Sequence, residues 1–152
     1  IYIHEYFLKI DPVRYLAKKE TRDDFIARHD GSYPAIMYIN KNTPKDSRIR
    51  LILLAGRGYY LGRNYQGDRS MGMRIVQGVI DHSSSGELFQ QYLSSLGCAH
   101  LLIRYELFEP YVQEKFDPEK VQQLKKQMSN NLMKIYDDKR YRIYHVSKQG
   151  CG

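Results

Sequence analysis

Residues 48–56 read RIRLILLAG, and residues 99–103 read AHLLI. The first stretch begins by alternating charged and apolar residues and then becomes wholly apolar until Gly56 ends it. Short, continuous apolar runs are typical of strands that are buried on both faces of a parallel sheet. We therefore predict that residues 51–54 and 99–103 form neighbouring central strands of one sheet.

The sequence between these runs predicts the elements that connect them. Residues 66–78 are polar and contain glycine, which favours an irregular segment, and residues 79–81 (VID) predict a short strand. A helix then begins with the capping-box spacing of residues 84–87 (SSGE), in which Ser84 is the expected N-cap. Gly97 suits the left-handed position just after the end of this helix. The expected inner stripe of the helix is Leu88, Tyr92, Leu93 and Leu96.

The order of these elements predicts the fold class. An apolar strand, a loop, a helix, a glycine and a second apolar strand are typical of an α/β domain. We expect a three-layer sandwich with a central, mostly parallel sheet and a Rossmann-like architecture.

The two ends of the chain add helices and one further strand. The first third predicts helices, one capped at Thr21 and another that begins after Ser32 and ends before Pro44. Asp117 and the proline after it predict a long helix, and residues 141–146 alternate as a half-exposed edge or terminal strand does. The expected buried stripe of the long helix is Val121, Leu124, Met128, Leu132 and Ile135.

The length of 152 residues allows one domain with its own core. We expect a helical lead-in at residues 1–30, the α/β domain at 31–148 and a tail at 149–152. The longest apolar run, residues 51–55, is far shorter than the ~18 residues that a membrane-spanning helix needs. The chain begins at Ile1 rather than at a methionine, and we expect it to be a piece of a longer protein.

Positive charge is concentrated in one part of the chain. The net charge is +7, and residues 48–74 carry six arginines against one aspartate. Such a patch attracts nucleic acid, phosphorylated substrates or anionic lipid headgroups. A solvated surface explains the same residues equally well, and the sequence leaves both interpretations open.

The sequence does not indicate a metal, redox or cofactor site. Cys98 and Cys151 form no Cys-x-x-Cys motif, and the five histidines lack the spacing of metal ligands. A disulfide between the two cysteines stays open, although the apolar segment after Cys98 favours a buried thiol. Residues 56–62 (GRGYYLG) follow a strand as a dinucleotide-binding loop does, but the third glycine comes one residue late. We therefore expect no cofactor in this chain.

Two short patterns leave catalytic alternatives open. Residues 36–38 (IMY) and 60–63 (YLGR) imitate a GIY-YIG nuclease, in which the two elements are adjacent strands, whereas helical signals surround the first one here. Asp81 and His82 end a predicted strand and are suited to acid–base chemistry, although a helix cap and a surface histidine explain them as well. A self-standing nucleic-acid-binding or nuclease module is therefore the alternative function.

Several short segments of the sequence resemble segments found in one family of membrane enzymes. They resemble the region just after the last transmembrane helix of bacterial multi-pass glycosyltransferases of the dolichyl-phosphate-mannose protein mannosyltransferase type. The segments are DPVRYL at 11–16, ETRDDFIARH at 20–29, YPAIMYIN at 33–40, PKDSR at 44–48, LILLAGRGYYL at 51–61 and LGCAHLLI at 96–103.

The resemblance implies a function for the longer protein and a location for this chain. Enzymes of this type take a sugar from a polyprenyl-phosphate donor, and their catalytic acid lies in an early loop that has no counterpart here. The resemblance therefore implies a non-catalytic, extracytoplasmic accessory domain, in which residues 1–30 are a helical lead-in from a membrane segment that precedes them. Its expected partners are the membrane-embedded remainder of the chain and a lipid-linked donor or a glycan or protein acceptor, with no nucleic acid. Its expected location is the periplasmic or extracellular face of the inner membrane.

We predict a substrate-binding rim at the carboxyl end of the first central strand, where open α/β sheets usually bind ligands. Arginine grips phosphate bidentately, and tyrosine packs along a sugar ring or an acyl chain while its hydroxyl stays in water. The same tyrosines and arginines are also explained by core packing and solvation. The predicted binding residues are Arg57, Tyr59, Tyr60, Arg63, Asp81 and His82.

Overall fold

A computed structural model describes residues 2–67 and 72–146, without the side chain of Tyr2. The helices are α1 (Tyr2–Ile10), α2 (Val13–Leu16), α3 (Arg22–His29), α4 (Tyr33–Asn42), α5 (Met73–Asp81), α6 (Gly86–Ser95), α7 (Tyr105–Lys115) and α8 (Pro118–Asn131). The strands are β1 (Arg48–Ile52), β2 (Asn64–Gln66), β3 (His100–Arg104), β4 (Met133–Asp137) and β5 (Tyr141–His145). The chain divides into an N-terminal unit at residues 1–34 and an α/β unit at residues 35–152.

Polar side chains hold the N-terminal unit together. Arg28 donates to both carboxylate oxygens of Glu20, from Nε at 3.0 Å and from Nη2 at 2.9 Å. The same guanidinium also donates to the backbone carbonyls of Ile10 and Asp11, each at 3.3 Å, so one side chain joins α3 to the end of α1.

A capping box begins α3, as the sequence predicts. The Thr21 hydroxyl accepts a hydrogen bond from the Asp24 backbone N–H, and the Asp24 carboxylate accepts one from the Thr21 backbone N–H. Two N–H groups that the first helical turn leaves without partners are satisfied in this way.

The five strands form one mixed sheet in the order β2-β1-β3-β5-β4. β1 pairs in parallel with β2 and β3, whereas β5 pairs antiparallel with β3 and β4. The α/β fold class is confirmed, and so is the prediction that residues 51–54 and 99–103 contribute neighbouring central strands. β1 nevertheless ends at Ile52, and Leu53 and Leu54 are buried beyond it.

Helices pack on both faces of the central strands. Ile52 and Leu101 belong to a core that also contains apolar residues of α5, α6, α7 and α8. Leu51 and Leu102, which point the other way in the same strands, belong to a second core with α4. We refer to these two sides of the sheet as the α5–α8 face and the α4 face.

Residues 79–81 are helical, so the prediction of a strand there is wrong. They end α5, whose buried residues Ile75, Val76, Val79 and Ile80 form one helical stripe. The prediction of an irregular segment at 66–78 is wrong for residues 73–78 for the same reason. β-branched residues favour strands locally, but this stripe has an apolar core to pack against.

The start of α6 lies one residue later than predicted. Ser85 rather than Ser84 is the N-cap, and its hydroxyl accepts from the Leu88 backbone N–H at 3.2 Å. The shift moves the buried stripe to Phe89 and Leu93 and leaves Leu88 exposed. Gly97 follows the helix with a φ of 62°, as predicted.

The chain after α8 forms a hairpin. The predicted long helix begins at Pro118 and buries Val121, Leu124 and Met128, but it ends at Asn131, so that Ile135 lies in β4. β4 is the edge strand and β5 is interior, which makes the prediction of an edge strand at 141–146 wrong. Tyr141 and Ile143 in β5 are fully buried because their side chains pack into the core of the α4 face.

Within residues 2–67 and 72–146, no helix is long and apolar enough to cross a membrane. The predicted tail at 149–152 lies outside the described residues, as does Cys151 of the alternative disulfide. Cys98 is buried, and burial raises the pKa of its thiol. A thiol of this kind is a small apolar core residue rather than a reactive one.

Candidate functional site

Most of the predicted binding residues lie in one loop, residues 53–63, which we call the crossover loop. It connects β1 to β2, and because these strands are parallel and Asn64 pairs with Arg48, the loop must return along the length of β1. Leu54 and Leu61 pack into the core of the α4 face and set the side on which it returns. The loop therefore begins at the carboxyl end of β1 but ends at its amino end.

The crossover loop begins with an unusual backbone. Leu53, Ala55 and Gly56 all have positive φ, at 62°, 47° and 70°. Side chains at the first two positions disfavour this left-handed region by roughly 1–2 kcal/mol each. Residues held in such conformations cluster at binding and catalytic sites, so the strain marks this turn as a functional candidate.

Asn40 of α4 anchors the middle of the loop. Its side-chain Nδ2 donates to the Tyr60 carbonyl at 2.9 Å, and its Oδ1 accepts from the Gly62 backbone N–H at 2.8 Å. One amide thus satisfies a loop donor and a loop acceptor and fixes the loop against the helix.

Arg63 supports the loop rather than presenting its charge to a ligand. Its Nη2 donates to the carbonyls of Asn40 and Thr43, each at 2.7 Å, and its Nε lies 3.3 Å from the Thr43 hydroxyl. These carbonyls are at the C-terminal end of α4, where a cation is favoured by the free carbonyls and the helix dipole. These contacts give Arg63 a structural role, and its predicted role in gripping phosphate stays a prediction.

Arg57 and Tyr59 provide the outward side chains of the loop, whereas Tyr60 is half-buried and packs against the core of the α4 face. Arg57 is exposed, Tyr59 is 86% exposed, and the rings of the two tyrosines meet edge-to-face with their centroids 5.1 Å apart. A guanidinium and an aromatic edge on an anchored loop are suited to a ligand that carries both an anion and an apolar or sugar surface.

Asp81 and His82 end helix α5 rather than a strand. The Asp81 carboxylate accepts from Gln77 Nε2 at 2.8 Å. His82 Nδ1 lies 2.7 Å from the Gly78 carbonyl, which only accepts, so this nitrogen carries the proton. The His82 ring also stacks on Tyr92 with a centroid distance of 4.8 Å. Both side chains are thus tied to helical neighbours instead of forming an acid–base pair.

The predicted rim is therefore divided. Val79 and Ile80, next to Asp81, pack into the core of the α5–α8 face, as Leu53 does at the start of the crossover loop. Leu54 and Leu61 of the loop pack on the α4 face. The structure brings the rings of Tyr59 and Tyr60 together, leaves Arg57 exposed on the same loop and uses Arg63 as a support of that loop. Asp81 and His82 end a helix that packs on the α5–α8 face, and their role in binding the same ligand stays a prediction.

The N-terminal unit carries a second candidate surface, which we call the apolar patch. Its large side chains are each at least half exposed: Ile3, Tyr6, Phe7, Leu8, Val13 and Leu16. Ile3, Tyr6 and Phe7 line a wholly apolar depression of about 420 Å³ together with Ile10 and Pro12. The sequence predicts only a helical lead-in here and not this patch, because the exposure of its side chains depends on whether another element packs against the helix. Exposed basic side chains accompany it, namely Lys9, Arg14, Lys18 and Lys19.

Comparisons with known proteins identify no relative. No protein-family model, curated protein sequence or solved structure matches the chain. The nuclease alternative also loses its geometric basis, because residues 36–38 lie in helix α4 and residues 60–63 in the crossover loop. The paired strands that such a nuclease requires are not formed by these two segments.

Proposed function

We propose that this chain is an extracytoplasmic accessory domain of a membrane glycosyltransferase that uses a polyprenyl-phosphate sugar donor. The resemblance to the region after the last transmembrane helix of such enzymes supplies the family. The domain itself is non-catalytic and positions donor or acceptor near the membrane-embedded remainder of the same chain. It needs no cofactor of its own for that role.

The apolar patch is the observation that carries this proposal. Water-exposed contiguous apolar surface is unfavourable, and it marks contact with another protein or with a membrane. Apolar and aromatic side chains accompanied by lysine and arginine are typical of segments that lie at a lipid headgroup surface. The patch falls in the part of the chain that the resemblance places next to a membrane segment.

The crossover loop supplies the proposed contact with substrate. Arg57 and Tyr59 are exposed on a loop that Asn40 and Arg63 anchor. We assign them contact with a phosphate or a glycan of the donor or acceptor.

We propose the three-layer, Rossmann-like architecture as the finer description of the fold. Its support is the alternation of strand side chains between two helix-covered cores. Ile36→Asp on the α4 face and Leu124→Asp on the α5–α8 face should both abolish cooperative unfolding, because each would bury an unpaired charge. Retention of the native near-ultraviolet circular dichroism in either variant would contradict a covered layer on that face.

Vesicle flotation tests the membrane-proximal placement. The chain should float with vesicles of phosphatidylethanolamine and phosphatidylglycerol, and Ile3→Ser with Phe7→Ser should abolish flotation by removing apolar contacts with the lipid. Leu88→Ser with Met133→Ser, which removes two exposed apolar side chains of the α/β unit, is the matched control and should leave flotation unchanged. Equal flotation of all three proteins, or none, would contradict the proposal.

Transfer activity tests the loop. In the full-length enzyme, Arg57→Ala with Tyr59→Ala should lower turnover or apparent acceptor affinity at unchanged membrane level, whereas Lys45→Ala should not. Arg63 is excluded from the test because its substitution would loosen the loop itself. Unchanged transfer kinetics in the double variant would make the loop purely architectural.

A further inference from the structure

A basic pocket lies on the α5–α8 face, beside the carboxyl end of β3. Its volume is about 360 Å³, and its polar lining comprises Tyr105, Lys125, Ser129, Lys134, Arg142 and Tyr144. These residues come from the start of α7, from α8 and from the hairpin of β4 and β5. Tyr105 follows directly after β3, and Arg142 and Tyr144 lie in β5, which pairs antiparallel with β3. The pocket therefore lies over the antiparallel part of the sheet.

Arg142 is held in a fixed position at the centre of the pocket. Its guanidinium carbon lies 3.3 Å from the centroid of the Tyr105 ring, and its side chain is three-quarters buried. Its Nε is buried without a hydrogen bond, although Asp137 Oδ2 lies 3.0 Å away. A stacked guanidinium loses little conformational freedom when it binds an anion.

Two lysines flank Arg142, and their present partners are exchangeable. Lys125 pairs with Glu109 at 3.0 Å and Lys134 pairs with Asp137 at 2.6 Å, with each lysine side chain at least 40% exposed. Ion pairs at this exposure contribute roughly 0–1 kcal/mol, so a stronger anion can take over either ammonium. Among the described residues, Asp137 is the carboxylate that lies within 4 Å of two of these cations, Lys134 and Arg142.

The floor of the pocket is apolar. Met128, Leu132 and Tyr144 are each less than 10% exposed and close it against the core. A pocket of a few hundred cubic ångströms with an apolar floor and a few convergent polar groups fits a small organic molecule.

We propose that the basic pocket binds a phosphate group carried on a small organic molecule. Three cations from different elements match the three acceptor oxygens of a phosphate monoester, whereas a carboxylate is satisfied by one arginine. The organic part rests on the apolar floor, and the Ser129 hydroxyl is available to its polar substituents. This site does not rest on the proposed membrane function, because it lies in the α/β unit and needs no lipid.

Titrations followed by NMR shifts of the isotope-labelled chain test the proposal. The probes are inorganic phosphate, glucose 1-phosphate and vesicles of phosphatidylglycerol. Glucose 1-phosphate should bind with a dissociation constant of about 0.1–1 mM and should shift the amides of residues 125–129 and 142–144. Inorganic phosphate should shift the same amides and bind more weakly, because it has no contact with the floor.

Two pairs of charge-matched variants distinguish binding in the pocket from attraction by the overall positive charge. Lys125→Gln with Lys134→Gln should weaken glucose 1-phosphate binding about tenfold or more. Lys120→Gln with Lys126→Gln removes the same charge from exposed positions of α8 that do not line the pocket, and should leave affinity within about twofold. Equal losses in both pairs would overturn the proposal, as would the absence of binding up to about 10 mM.

Two further variants keep the outcome interpretable. Arg142→Lys preserves the charge but loses the planar stack and should weaken binding about tenfold. Asp137→Asn removes the competing carboxylate and should tighten binding, a direction that damage to the fold does not produce; the unfolding midpoint of each variant is measured alongside. Binding to vesicles alone, lost in the Lys125→Gln and Lys134→Gln variant, would overturn the assignment to a small phosphorylated molecule.

Discussion

Apolar side chains have opposite environments in the two units of this protein. In the N-terminal unit they are largely exposed, as in Ile3 and Leu16, and polar contacts of Arg28 hold the helices together. In the α/β unit they are buried on two faces of a sheet, as in Leu102 and Leu124. One unit is thus stabilised by its own core, whereas the other leaves most of its large apolar side chains exposed.

The largest expected effect is the loss of a core side chain from the α/β unit. Leu124→Ala should lower the free energy of unfolding by ~2–5 kcal/mol, because Leu124 is 1% exposed and its removal leaves a cavity. Leu16→Ala in the N-terminal unit makes the same chemical change at a position that is 72% exposed and should cost less than about 0.5 kcal/mol. Urea unfolding followed by circular dichroism measures both, and similar losses would show that the contrast between the units is wrong.

A smaller effect is expected at the anchor of the crossover loop. Arg63→Ala should cost about 1–3 kcal/mol, because it removes a charged donor from the carbonyls at the end of α4. Arg57→Ala, an identical change at an exposed position of the same loop, should stay within about 0.5 kcal/mol. If the two variants unfold at the same urea concentration, Arg63 is not the support that its contacts indicate.

The next effect should be confined to the N-terminal unit. Arg28→Ala removes the bonds to Glu20, Ile10 and Asp11, so amide hydrogen exchange should accelerate at the end of α1 and in α3. The exchange of β1 and β3 and the unfolding midpoint of the α/β unit should not change. Arg22→Ala, at the exposed first position of α3, is the matched control. Accelerated exchange throughout the sheet would contradict independent stabilisation of the two units.

The smallest effect concerns pH and two histidines of the α/β unit. His100 is buried, and its Nε2 lies 3.3 Å from Nδ1 of His145 on the neighbouring strand. Burial lowers the pKa of His100, and the nearby His145 lowers it further. The folded state therefore binds fewer protons than the unfolded state, whose histidine titrates near 6.5. Stability should be complete above that pH and decline as the pH falls toward the folded pKa.

Substitutions identify the histidine that is responsible. His100→Gln should remove most of this decline, whereas His145→Gln should only reduce it, because burial is the larger cause of the lowered pKa. Urea unfolding between pH 7.5 and pH 5 gives the slope. An unchanged slope in the His100→Gln variant would assign the pH dependence to other groups.

The sequence predicts those elements whose signals are local. The runs at 51–54 and 99–103, the capping residue Thr21 and the start of α8 at Pro118 all follow from neighbouring residues. The prediction of a strand at residues 79–81 is wrong because VID taken alone resembles a strand. Together with Ile75 and Val76, Val79 and Ile80 have the spacing of a buried helical stripe. The spacing of three and four residues from Ile80 back to Ile75 therefore indicates helix α5.

The remaining errors depend on contacts between distant parts of the chain. Leu132 and Ile135 continue the spacing of α8, and only the turn at 138–140 reveals that a hairpin has begun. No residue near position 64 indicates that β2 begins opposite Arg48. This pairing returns the crossover loop to the amino end of β1. The rim differs from the prediction because Asp81 and His82 follow a helix and not a strand. The basic pocket escapes prediction because its cations come from three separate elements.

The strand order has a consequence for how a newly made chain acquires this sheet. The hairpin of β4 and β5 joins neighbouring segments, whereas β1 reaches β3 only after about fifty residues, a pairing of high contact order. On the ribosome β1 and β3 emerge first, yet the outer edge of β3 stays open until β5 follows about forty residues later. An unpaired apolar strand edge is a template for aggregation. Termination of synthesis before Tyr141 would leave that edge uncovered, so the last strand protects the nascent sheet as well as completing it.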